Sequence, residues 1–170
     1  DGAHYQEGEV YVRFWQSENA RDWVLVDDVE SVYVGGVSEV AFEFDTEGNL
    51  WTVGRNEDGD ATGAGSQICF AKKDSLANWQ CLEESDPERY DSPELFRHGE
   101  EIYMLARRDV GGPYGPDGDL LAYSLRPKAF SLYKLTREAK TVEWIQDLRG
   151  VGDTSFPSVR RLDDHVFRFV

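Results

Sequence analysis

Ser38-Glu-Val-Ala-Phe-Glu-Phe-Asp-Thr-Glu-Gly-Asn-Leu-Trp-Thr-Val-Gly-Arg55 reads as two strands folded about one turn. The apolar positions alternate or run in short blocks of β-formers, and Asp45-Thr-Glu-Gly48 breaks them where a turn belongs. The pattern returns as Asp91-Ser-Pro-Glu-Leu-Phe-Arg-His-Gly-Glu-Glu-Ile-Tyr-Met-Leu-Ala-Arg107, and starts a third time at Ser155-Phe-Pro-Ser-Val-Arg-Arg-Leu-Asp-Asp-His165. Between these hairpins lies a second type, whose later strand opens near a tryptophan. Its copies run from Val10 to Val26 around Trp23, from Ile68 to Leu82 around Trp79, and from Ser131 to Ile145 around Trp144.

Naming the two hairpins AB and CD, the order along the chain is CD, AB, CD, AB, CD, AB. A four-stranded unit recurring at about 50 to 65 residues is the signature of a propeller blade. The expected fold is therefore all-β, a β-propeller of four-stranded blades with about three blade-equivalents present. The boundaries fall at a CD hairpin over 9–30, blades over 37–85 and 90–149, and an AB hairpin over 153–170. A β-sandwich is the structural alternative, since several short strands suit it too. Helical pattern is nearly absent; Leu76–Trp79 and Glu88–Glu94 have room for single turns only. Three blades do not close a ring, so the remaining blades are expected from a longer chain or from a second copy.

Composition narrows the partners. The chain has 170 residues and a net charge of −15, with 40% hydrophobic residues, enough for a packed core. So acidic a surface repels phosphate backbones and argues against nucleic acid. No apolar run approaches the roughly 20 residues of a membrane helix, and no basic-plus-apolar leader stands at Asp1, so no membrane partner is expected. Cys69 and Cys81 flank a turn-like stretch, which suits a cross-strand disulfide as well as two buried thiols. An oxidised pair would place the chain in an extracellular or periplasmic compartment.

The repeats resemble the sialidase superfamily. Asp74 and Trp79 stand where its Asp-box motif, Ser-x-Asp-x-Gly-x-Thr-Trp, carries Asp and Trp, and Ser17-Glu-Asn-Ala-Arg-Asp-Trp23 looks like a shortened copy. The AB hairpins are similar to that superfamily's Ser-Glu, strand, Asp-Gly-x-Leu, strand, Arg. Ser38-Glu39, Glu47-Gly48-Asn49-Leu50 and Arg55 follow it. With Tyr90-Asp-Ser-Pro-Glu-Leu-Phe-Arg-His-Gly99 and Gly152-Asp-Thr-Ser-Phe-Pro157, the run looks like uncharacterised bacterial sialidase-like propellers. The resemblance implies six blades when complete, and an exo-glycosidase or glycan-processing protein acting on (sialo)glycans or glycoproteins. It places Glu39 on the glutamate that activates the nucleophile and Arg55 on one of three arginines that grip the sialate carboxylate. It fails further on, where Tyr90-Asp91-Ser92 stands in place of the next arginine, with Arg89 only adjacent. Thr154-Ser155-Phe156 occupies the stretch of the tyrosine nucleophile. The alternative is a non-catalytic propeller that binds glycan or protein through the channel face.

The residues give their own reading of the site. Glu39 and Arg55 are symmetric about the turn, and Asp91 and Arg107 about Gly99, so each pair should lie opposed at one end of its hairpin. In a propeller both pairs would meet at the channel mouth. Glu39 and Asp91 are then candidate proton-transfer groups, with Arg55 and Arg107 for a substrate carboxylate. Cross-strand salt bridges that fix register fit the same spacing. Tyr90 beside Asp91 suits a phenolic nucleophile or a packing residue. Arg107-Arg108 suits a shared anion site or one channel arginine beside a solvated one. Tyr114, in the loop Gly111–Asp119, suits a sugar-stacking platform or a solvated loop. No cofactor is expected. Asn56-x-Asp58-x-Asp60 starts like a calcium loop, but Ala61 and Gln67 stand where glycine and glutamate are needed. Only a looser calcium site in Asp58–Gly65 or at Asp117-Gly-Asp119 stays open. His4, His98 and His165 are isolated in sequence, so no histidine metal site is expected.

Overall fold

In the computed structural model, residues 9–111, 120–149 and 156–169 are described. They are mostly strand, in antiparallel sheets. The first four-stranded sheet is a meander of β5 (Val37–Phe44), β6 (Leu50–Asp60), β7 (Gly63–Ala71) and β8 (Gln80–Cys81). The second repeats the order with β9 (Asp91–His98), β10 (Glu101–Asp109), β11 (Lys128–Thr136) and β12 (Thr141–Leu148). Each expected blade span thus contains one sequential four-stranded sheet.

The first turn owes its shape to one carboxylate. Asp45 accepts the amides of Glu47 and Asn49, the Asn49 side chain and the Trp51 indole N–H, while Gly48 takes the left-handed conformation, φ 87°, that closes the loop. Gly99 does the same between β9 and β10, at φ 61°. Once the turns are set, the pleat decides what is buried. Ala41, Trp51, Val53 and Ile68 point from the first sheet into one core with Tyr90, Leu95, Ile102, Met104, Ala106, Tyr133 and Leu135 of the second. The two sheets pack face to face, with β5 lying against β9.

Shorter pieces cover the outer faces. Residues 9–36 hold β1 (Val10–Val12), β2 (Trp15–Gln16), β3 (Val24–Leu25) and β4 (Tyr33–Gly35). Only β2 and β3 form the expected hairpin; β1 turns away to pair with β4. The cause is at both ends of this segment. Phe14 packs edge-on against Phe42 and Trp79, which pulls the chain onto the first sheet, and Tyr33 donates to Asp60 at 2.6 Å. At the other end of the chain, β13 (Val159–Arg161) pairs with β14 (Phe167–Phe169), and both of its phenylalanines reach Phe96 on the outer face of the second sheet.

Two local expectations change. Residues 88–94 are not a helical turn, because Asp91 already belongs to β9. A six-residue helix, α1 (Leu120–Leu125), stands before β11 where no helix was expected. Cys69 and Cys81 face each other across β7 and β8 and form a disulfide. That bond, with the Leu82 amide donating to the Ile68 carbonyl, anchors a strand only two residues long.

Candidate functional site

The registers place the charged pairs as their symmetry requires. Glu39 is the cross-strand partner of Arg55, and Asp91 that of Arg107. Both ladders slip at this end, between Val37 and Glu39 in the first sheet and between Leu105 and Arg107 in the second. Such irregularities re-aim side chains and recur beside functional sites. Because β5 and β9 lie against each other, the two pairs merge.

Asp91 is the centre of the merged cluster, with its side chain fully buried. One carboxylate oxygen accepts Arg89 Nε at 2.6 Å and Arg55 Nη1 at 3.3 Å; the other accepts Arg107 Nε at 3.3 Å and Nη2 at 3.2 Å. Glu57 takes Arg55 at 2.6 Å and Arg89 at 2.7 Å, and Glu39 takes Arg55 at 3.2 Å. Three guanidiniums and three carboxylates thus face one another, and their formal charges cancel. Buried charges are tolerated on this condition, that each is paired and hydrogen-bonded.

Glu39 differs from the other two acids. Its side chain is 29% exposed, and its second oxygen accepts the Ser92 amide at 2.7 Å. Ser92 sits at φ 48°, a left-handed conformation that costs a non-glycine residue about 1–2 kcal/mol. The Glu39 carboxylate holds that strained amide in place. Beside it opens a shallow groove of about 310 Å³, lined among the described residues by Glu39, Val40, Ser92, Pro93, Phe156 and Pro157.

The other candidates part from this cluster. Tyr90 is buried between the sheets, edge-on to Tyr133 at 5.2 Å, and donates to Asp86 at 3.1 Å. Burial, reinforced by Asp86, pushes its phenol well above the ordinary tyrosine range. That favours the packing reading of Tyr90 over the nucleophile or substrate contact. Arg108 is no partner of Arg107 for a shared anion, because neighbours on a strand point to opposite faces. It pairs instead with Asp147 at 2.7 Å, 5.7 Å from the Trp144 ring centre. The Arg108 hydrogen bonds hold Asp147 below the usual carboxylate range, at about 2. Tyr114 and Asp117-Gly-Asp119 lie outside the described residues.

In the calcium-like stretch, Asp60 is already committed to Tyr33, the Gly36 amide and Thr62. Asn56 turns its amide to the Gly63 carbonyl and Ser85. Among the described residues, no group of three or more His, Cys, Asp or Glu side chains is arranged to hold a metal ion.

Glu57 is the cluster member that sequence reading passed over, and Arg89 is one it noted only as adjacent to the place of an expected arginine. The signal was weak but present. Glu57 follows Arg55 by two positions on one strand, and so shares its face, while Arg89 precedes Asp91 by two. No family model, curated protein or solved structure matches the chain.

Proposed function

We propose that the two meanders are consecutive blades of a sialidase-like β-propeller, completed by further blades, and that the chain binds glycan through the face where β5 and β9 begin. One observation carries this reading. The groove is lined by residues from the opening stretches of three successive repeats: Glu39 and Val40 from the first, Ser92 and Pro93 from the second, Phe156 and Pro157 from the third. Strands that start side by side about one axis are what a propeller channel mouth requires, whereas a two-sheet sandwich has no reason to bring three repeat starts together. The disulfide is compatible with the oxidising compartment in which secreted glycan-binding proteins work.

Binding is favoured over hydrolysis. Thr154-Ser155-Phe156 occupies the stretch where the resemblance asks for a tyrosine nucleophile, and none of the three is a tyrosine. Tyr90 is buried with its phenol pushed up, and Asp91 is enclosed by arginines. The test pairs a turnover assay on fluorogenic glycosides, sialosides included, with saturation-transfer NMR on a glycan panel. The expected result is saturation transfer to a glycan with no turnover. Turnover that disappears in Glu39→Gln would replace this reading with the hydrolase.

A further inference from the structure

Resting on that glycan-binding reading, we infer that the groove takes an uncharged sugar and discriminates against sialate, uronate and sulfated sugars. A site for an anionic sugar needs cationic groups that the ligand can reach. Here Arg55, Arg89 and Arg107 all hold the Asp91 carboxylate, and Arg55 and Arg89 also hold Glu57. A ligand carboxylate would have to displace Asp91, which is fully buried, or Glu57. The chain's own carboxylates occupy the positions that an acidic sugar would take.

The groove itself carries the opposite sign. Glu39 is its one ionisable lining group among the described residues, in a chain with a net charge of −15. The remaining lining among the described residues is Val40, Ser92, two prolines and Phe156, a residue that is 73% exposed. An exposed aromatic face beside a carboxylate is well matched to a neutral pyranose. The sugar ring stacks its C–H face on the phenyl group, while one of its hydroxyls donates to Glu39. Each carboxylate oxygen has two acceptor sites; one oxygen takes the Ser92 amide and, at 3.4 Å, the Ser92 hydroxyl, so the other, held by Arg55, has the site left for such a donor.

Matched sugar pairs isolate the charge: methyl glucoside against methyl glucuronide, methyl galactoside against methyl galacturonide, lactose against sialyllactose. Saturation-transfer NMR and calorimetry on the intact chain should detect at least one neutral member and find its charged partner at least tenfold weaker. Phe156→Ala should abolish the signal, and its exposed position leaves folding intact. Glu39→Gln removes the groove's negative charge and should narrow the gap within a pair while neutral binding persists. Charged members binding as well as their neutral partners would overturn the inference and leave the glycan-binding reading standing. Binding by no sugar of either kind would overturn both.

Discussion

The β5–β6 and β9–β10 hairpins carry the same device with opposite outcomes. Each opposes an acid near the start of its first strand to an arginine in its second. In the second hairpin the acid is aspartate; its short side chain stays inside, fully buried, and three arginines close on it. In the first hairpin the acid is glutamate, one methylene longer and at the rim, where it reaches across to the Ser92 amide of the neighbouring sheet. Equal register does not mean equal role: Asp91 neutralises the cluster, and Glu39 links the cluster to the groove.

Substitutions can break that contrast in order of size. Asp91→Asn leaves three guanidiniums facing two carboxylates in a buried setting, and should cost about 3–5 kcal/mol in urea unfolding. Replacing Cys69 and Cys81 by serine removes the bond that anchors β8, with an expected loss of about 2–3 kcal/mol for so short a loop. Glu39→Gln should cost only about 1 kcal/mol, because the amide oxygen still accepts the Ser92 N–H. A loss as large as that of Asp91→Asn would erase the distinction between the two hairpins.

The smallest effect belongs to Arg108 and Asp147, a pair outside the cluster. Asp147 titrates lower in the folded chain than its ordinary value of 3.8, at about 2. Its contribution is therefore present above about pH 4 and is lost as the pH falls toward 2. With Asp147 39% exposed, solvent screening limits the contribution to about 0.2–1 kcal/mol. Acid titrations of the parent chain and Arg108→Ala should differ by that amount above pH 4 and converge as the pH falls through about 2.

Much of this was legible in the sequence because hairpins are local. Turn residues and strand symmetry fixed the Glu39–Arg55 and Asp91–Arg107 registers, and the spacing of Cys69 and Cys81 suited the disulfide. What sequence could not supply was the packing of one sheet on another. That packing turned two separate salt bridges into one cluster, drew in Glu57 and Arg89, and hid Tyr90. The first CD copy misled for the same reason, because Phe14 and Tyr33 anchor to the first sheet through contacts far along the chain. For Arg107-Arg108, strand alternation separates the two readings the sequence left open, a shared anion site and one channel arginine beside a solvated one.

The central claim is that Asp91 is the shared internal counter-ion of the three arginines. The most direct test is the melting temperature of Asp91→Ala with and without acetate or formate. The account predicts a large drop for the variant and substantial recovery with either anion, each of which can reoccupy the arginine-lined gap, while chloride at the same ionic strength recovers little. A variant that melts like the parent, or one indifferent to small carboxylates, would contradict it.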